Sequence, residues 1–235
     1  MRGALTGAEA VLFDLDDTLL DYSAARDAGF LSWLAERDPS RPKEHLAEWQ
    51  TLEDVHFRRY SAGELSFGEQ RRARLRAFWP HLGTVADVEL DEVYEGYVVH
   101  MEAAWRPVPH AHDVVRAIAE RVPVGILTNG HASMQVRKLA MLGLDDLPLF
   151  ASSELVAPKP DGRAYEAACT GLGVAPARTV MVGDDLVNDV EGALAAGLGA
   201  VWVDRGRGGA ATCPVVTDLR QLLDGWEAGS SRTVR

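Results

Sequence analysis

Two textures alternate along this chain. Short apolar runs that end in acids or turn residues occupy its beginning and its second half, and amphipathic stretches of helical period fill most of what lies between. The first run, "EAVLFDL" from Glu9 to Leu15, is short, apolar and closed by carboxylates, which predicts a buried strand. From about residue 23 to 104 the period lengthens. Ser23 is placed to cap a helix over "AARDAGFLSWLAER", and a longer helix is predicted over "PKEHLAEWQTLEDVHFRRY", starting near Pro42. "SFGEQRRARLRAFW" opens with Ser66 and Glu69 at capping-box spacing, and "DEVYEGYVVHMEAAW" supplies a fourth helix. No stretch in this block reads as a strand.

After Pro107 and Pro109 the pattern changes again. "AHDVVRAIAER" reads as helix, "VPVGILTN" as strand, "HASMQVRKLAMLG" as helix, "LPLFASS" as strand and "DGRAYEAACTGLG" as helix. "RTVMVGDD" is then strand, "LVNDVEGALAAG" helix and "GAVWVD" strand. Strands alternating with helices of this length predict a parallel sheet with helices on both faces. The expected fold is therefore α/β, a Rossmann-like parallel-sheet core with a helical domain inserted after the first strand. The expected division is residues 1–20 and 105–235 for the core and residues 21–104 for the helical insert. The polar tail "EAGSSRTVR" is expected to fray, and "DRGRGGAAT" reads as a plain loop, because no Lys-Ser/Thr helix opening follows it.

Composition narrows the setting. The chain of 235 residues is long enough for one large domain or a core with an insert. No window approaches the apolar length of a membrane span, and no secretory pattern opens the chain, so a cytoplasmic protein with no membrane partner is expected. Two cysteines, Cys169 and Cys213, make neither a disulfide framework nor a metal knuckle. The net charge of −11 argues against nucleic acid as a partner, though local charge still permits a small anionic substrate. No sequence signal bears on oligomeric state.

The acids at the strand ends change the picture most. Asp14, Asp16, Asp17 and Asp21 crowd the end of the first strand, where mutual repulsion and desolvation both disfavour them unless a cation sits among them. Functional groups collect at the carboxyl ends of strands in open parallel sheets. The second strand ends in Thr128-Asn129-Gly130, Lys159 lies in "APKPDG" before a helix, and "VGDDLVNDV" places Asp184, Asp185 and Asp189 after another strand. Each piece alone reads as an ordinary cap or loop residue; the ordered set points to one crevice.

In these residues the sequence resembles the haloacid dehalogenase-like hydrolase superfamily. Asp14-Leu15-Asp16-Asp17-Thr18 is similar to its D-x-D-x-T motif, Thr128 in "ILTNG" to the second motif, Lys159 in "KPDG" to the third, and "GDDLVND" to the fourth, with Asp184 and Asp189 at its spacing. The helical insert resembles the family's first cap type, which implies closure over the site and control of substrate choice. The resemblance implies a Mg2+-dependent phosphatase acting on a small phosphorylated metabolite. Members that cleave carbon–halogen bonds usually carry Tyr at the position of Asp16, and those cleaving phosphonates usually carry Ala, so Asp16 points to phosphate esters. A sugar phosphomutase, or a non-enzymatic binding protein on the same scaffold, remains an alternative.

The expected roles follow from charge and reach. Residues i and i+2 of a strand point the same way, so Asp14 and Asp16 are expected to address one substrate together. Asp14 is the expected nucleophile and Asp16 the general acid and base. Asp14, Asp16 and Asp184 are the expected metal ligands, Thr128, Asn129 and Lys159 the phosphate-binding groups, and Asp189 a support for Lys159. Lys159, at a strand end, is expected outside the core. His110-Ala-His112 reads as a helix opening, since no third ligand is near, and His131 as a helix start. The arginines of "RRARLR" read as a solvated helix face over buried Leu75, Phe78 and Trp79.

Overall fold

A computed structural model describes residues 3–37, 43–79, 86–206, 208–209 and 211–226. The expected helix start at Pro42 and the expected frayed tail lie outside these residues, as do two positions of the "DRGRGGAAT" loop. By contacts the chain divides into two compact units, Met1–Asp21 with Pro107–Arg235, and Tyr22–Arg106.

The first unit begins with β1 (Ala10–Phe13), every residue of which is buried. The second unit contains four helices, α1 (Tyr22–Arg37), α2 (Leu46–Ser61), α3 (Phe67–Phe78) and α4 (Asp87–Ala103). α1 starts one residue before Ser23, which therefore lies within its first turn rather than capping it, and α4 starts four residues before the expected Asp91. At α3 both halves of the capping box form: Ser66 Oγ accepts from Glu69 N at 3.3 Å, and Glu69 Oε2 accepts from Ser66 N at 2.7 Å. These helices pack through aromatic rings, with Phe30 stacked on Trp49 at 4.9 Å and Trp49 edge-on to Tyr97 at 5.1 Å.

The arginine run of α3 departs from expectation. Leu75 and Phe78 are buried, but so is Arg74. Its guanidinium stands 3.4 Å from Glu53 Oε1, which also accepts from Tyr22 at 2.7 Å, and it lies over the rings of Trp49 and Tyr94. The buried stripe of α3 runs Gln70–Arg74–Phe78, at four-residue steps, and Arg74 falls in it by phase. Arg72 and Arg76 keep the outward face and pair with Asp91 and Asp87.

The first unit resumes with α5 (Ala111–Ala119), β2 (Val124–Thr128), α6 (Ala132–Leu142) and β3 (Leu149–Ala151). It continues with α7 (Gly162–Leu172), β4 (Thr179–Gly183), a π-helical segment Leu186–Glu191 running into α8 (Gly192–Ala195), β5 (Gly199–Val203) and β6 (Val215–Val216). The strands form one sheet in the order β3-β2-β1-β4-β5-β6, and each neighbouring pair is parallel. The family of fold is thus α/β and Rossmann-like. β6 escaped sequence reading because two residues carry no period. β1 and β2 are buried residue by residue, as strands covered on both faces must be. Leu12, Leu127, Tyr165, Met181 and Trp202 share one apolar cluster behind the strand ends. Strand order reverses at β1, so the carboxyl ends of β1, β2 and β4 open side by side.

Candidate active site

The carboxyl ends of these three strands bring Asp14, Thr128 and Asp184 to one edge of the sheet. Asp14 follows β1 directly and is locked in register, its N–H donating to the Val182 carbonyl at 2.9 Å. Asp184 follows β4; its carbonyl accepts from Trp202 Nε1 at 2.9 Å, and its Oδ1 accepts from Thr18 Oγ1 at 3.3 Å. Both carboxylates are buried.

Lys159 is not the peripheral lysine expected. Only 4 % of it is exposed, and its Nζ donates to Asp14 Oδ1 at 2.7 Å and to Asp189 Oδ1 at 2.6 Å. The loop places it there through Asn129. Asn129 Nδ2 donates to the Lys159 carbonyl at 2.8 Å, and Asn129 Oδ1 accepts from the Lys159 N–H at 2.8 Å. Both ends of the Asn129 amide are thereby used on the backbone. The Asn129 amide thus holds the loop that carries Lys159, a pairing between loops thirty residues apart that no local pattern signals.

Asp189 reaches Lys159 from the π-helical segment. The wider turn projects it back toward β4, where its Oδ2 accepts from Asp185 N at 3.0 Å. Asp185 itself caps this segment by accepting from the N–H groups of Val187 and Asn188. Gly183 is required by close approach: a Cβ there would stand 2.2 Å from Asp189 Oδ2.

Asp16 takes a different direction. β1 ends at Phe13, so strand alternation no longer governs position 16, and Asp17 sits in the left-handed region at φ 62° to turn the chain. The Asp16 carboxylate accepts from Lys138 Nζ at 2.6 and 2.7 Å and from Gln135 Nε2 at 3.0 Å. Among the described residues, the acidic groups close enough to share a cation are Asp14, Asp184 and Asp189, whose oxygens lie within 4.8 Å of one another. The side chain of Asp16 is not among them: both of its carboxylate oxygens are turned to α6. The sequence does not single out Lys138 or Gln135, and it gives Thr18 only as the last residue of the first motif. The only available signal was that Gln135 and Lys138 lie three apart on the helix that follows the Thr128 turn.

Thr128 is buried at the end of β2, and its Oγ1 accepts from Gln135 Nε2 at 2.8 Å and from Gly130 N at 3.3 Å. His131 caps α6 by accepting from Ser133 N, as a helix start should. His110 and His112 join no metal-sized cluster among the described residues.

The electrostatics suit a bound cation. Burial opposes the Lys159 ammonium, but Asp14 and Asp189 outweigh it and hold its pKa above the ordinary lysine value. Burial likewise pushes the Asp14 carboxyl up, against the pull of Lys159, and the neighbouring Asp189 and Asp184 add to the rise. Asp189 is also raised by burial, with Lys159 opposing. One ammonium among three buried carboxylates leaves negative charge uncompensated. An all-oxygen donor set of this kind suits a hard divalent ion such as Mg2+. Asp189 already spends one oxygen on Lys159 and the other on Asp185 N, so Asp14 and Asp184 are the better ligands.

Residues 8–197 match the family described as haloacid dehalogenase-like hydrolase. The pyrimidine 5'-nucleotidase PynA of Streptococcus pneumoniae is 27% identical over 196 residues, covering 82% of each chain. A ribulose-1,5-bisphosphate 5-phosphatase of Halopiger xanaduensis is 30% identical over 207 residues, covering 84% of this chain and 85% of its own. Among solved structures, the putative HAD-hydrolase YfnB of Bacillus subtilis, bound to magnesium, is similar in fold with a TM-score of 0.73 at 22% identity, over 92% of this chain and 96% of its own. A 2-haloacid dehalogenase of Pseudomonas syringae superposes with a TM-score of 0.67 at 27% identity, over 93% of this chain and 97% of its own. No helix among the described residues is long and apolar enough to cross a membrane. With the family match spanning all four strand-end clusters, the chain belongs to the haloacid dehalogenase-like hydrolases and is an enzyme of that class.

Proposed function

We propose that this enzyme is a Mg2+-dependent phosphatase that hydrolyses a small phosphate monoester through an aspartyl-phosphate on Asp14. The observation that carries the reading is the buried Asp14 carboxylate held at 2.7 Å by Lys159, with a second carboxylate, Asp16, held separately by Lys138. A phosphate dianion repels an anionic nucleophile, so such a site must neutralise charge and align the attacking oxygen. Asp14 and Asp184 would hold a magnesium ion, which would supply charge neutralisation for the phosphoryl oxygens.

The chain's own groups divide the rest of the work. A carboxylate oxygen of Asp14 attacks phosphorus as the bond from phosphorus to the ester oxygen breaks, and Asp16 gives its proton to the departing oxygen. Thr128 donates to a phosphoryl oxygen, and Lys159 offsets the charge gathered beside Asp14. Water then attacks phosphorus, Asp16 takes the water's proton, and the bond from phosphorus to Asp14 breaks to release inorganic phosphate. Asp189 and Asn129 keep Lys159 in place throughout. The curated relatives named as nucleotidases and phosphatases favour phosphate esters over carbon–halogen substrates, as does a carboxylate at position 16.

The test is phosphate release with magnesium from p-nitrophenyl phosphate and a panel of nucleoside monophosphates, sugar phosphates and short phosphorylated acids. The expected result is release from p-nitrophenyl phosphate and from at least one metabolite class. No release from any ester would refute the reading, and interconversion of sugar phosphates without net phosphate would replace it with a mutase.

A further inference from the structure

The groups around Asp16 form a device that the reaction above leaves unassigned. Gln135 is fully buried, and its amide nitrogen spends one contact on Asp16 Oδ2 at 3.0 Å and one on Thr128 Oγ1 at 2.8 Å. Its Oε1 is buried with no protein hydrogen-bond partner among the described residues. A buried carbonyl left unpaired is costly, so the two donor contacts fix where this side chain sits. The backbone is shaped to admit it: a Cβ on Gly130 would lie 2.0 Å from Gln135 Nε2 and 2.4 Å from its Cδ. One helical turn on, Lys138 is buried and grips both oxygens of Asp16.

Two consequences follow from donor and acceptor arithmetic. A hydroxyl has two acceptor lone pairs and one proton. Thr128 Oγ1 accepts from Gln135 and from Gly130 N, which leaves its own proton to be donated. A carboxylate gripped from three sides by two side chains of one helix cannot swing freely, whereas Asp16, with its side chain 27% exposed, would otherwise rotate into water. We infer that Gln135 and Lys138 are positioning residues that couple the anion-binding hydroxyl of Thr128 to the proton-transfer carboxylate of Asp16 on one rigid face of α6. The inference rests on the phosphatase reading and deepens it. Lys138 aims Asp16 at the ester oxygen, so that its proton reaches that oxygen as the phosphorus–oxygen bond breaks. Gln135 makes Thr128 a donor to the phosphoryl group.

Leaving groups separate this from a merely structural role. p-Nitrophenolate departs without an acid, and an alkoxide does not. In Lys138→Met the rate of the nitrophenol burst should stay within about threefold of the parent, while turnover of an alkyl phosphate falls by about 10²-fold, the range of lost acid–base assistance. Lys138→Arg, whose guanidinium also grips a carboxylate at two points, should recover most of the alkyl phosphate rate. Gln135→Met should weaken competitive inhibition by inorganic phosphate about tenfold, with Gly130→Ala doing the same by displacing Gln135. Equal losses on both esters in Lys138→Met, with no recovery in Lys138→Arg, would overturn the role of Lys138. Unchanged phosphate inhibition in Gln135→Met would overturn that of Gln135. A parent enzyme inert to both esters would instead refute the phosphatase reading, and this inference with it.

Discussion

Lys159→Met removes the one ammonium among three buried carboxylates while keeping the length of the side chain. Nζ lies 2.7 Å from Asp14 and 2.6 Å from Asp189, and both acids are buried, so neither can exchange the lost partner for bulk water. At an effective dielectric of about 20 each contact is worth about 6 kcal/mol of raw attraction, offset by the desolvation of lysine. The variant limits its loss by keeping a proton on a carboxyl. Holding a carboxyl of ordinary pKa near 4 neutral at pH 7 costs about 4 kcal/mol, within the ~3–5 kcal/mol typical of a broken buried pair. The sign in pH follows from the raised carboxyls. The folded variant binds a proton that the unfolded chain has released, so its stability is greatest below about pH 4 and falls as pH rises through the elevated folded value. At pH 5 the same proton costs about 1.4 kcal/mol. Urea unfolding in EDTA should therefore show a midpoint lowered by about 1–2 M at pH 7 and by much less at pH 5. Phosphate release with magnesium should fall by 10²-fold or more at either pH. A midpoint equal to the parent's at pH 7, or turnover within about threefold of it, would refute the placement of this charge and the reasoning built on it.

Three further outcomes follow. Magnesium at about a hundred times its dissociation constant should stabilise the protein by about 2.7 kcal/mol, with the gain shrinking as pH falls, because the Asp14 carboxyl, raised by burial, takes up a proton that the ion must displace, and calorimetric melting with and without EDTA checks this. Gly183→Ala should lower turnover by about tenfold or more with the sheet intact, because its Cβ would displace Asp189 from Lys159; steady-state kinetics beside circular dichroism decide it. Arg74→Met should destabilise the helical unit by about 1–3 kcal/mol, since Glu53 loses the nearer of its two guanidiniums and keeps Arg26 at 3.5 Å, and denaturant unfolding at pH 7 measures the loss.

What could be read from sequence and what could not divide along a physical line. Strand ends announce themselves, because an apolar run that meets Asp14, Thr128 or Asp184 marks both the strand and the residue it delivers. The parallel sheet and the site edge were legible for that reason. Pairings across the fold were not. Asp16 is separated from Lys138 by more than a hundred residues, and nothing local distinguishes Lys138 from a surface lysine until the fold brings α6 to Asp16. The strand rule failed at Asp16 for a simple reason: the strand had already ended at Phe13. The π-helical turn that carries Asp189 has the composition of an ordinary helix, and only the contact with Lys159 exposes the difference. Arg74 was misjudged by residue type, although its phase with Phe78 placed it on the buried stripe.

The central claim is that phosphate is carried on Asp14 and that Asp16 moves the protons. Asp16→Asn keeps size and shape but cannot exchange a proton, so the first step with p-nitrophenyl phosphate should proceed and the second should stall. Rapid mixing should show about one nitrophenol released per active site, followed by a slow phase reduced by about 10²–10⁴-fold. Mass spectrometry of the quenched, digested protein should find an added phosphate on the peptide that contains Asp14. A phosphate mass on another peptide, or a variant that turns over at the parent's rate, would contradict the account.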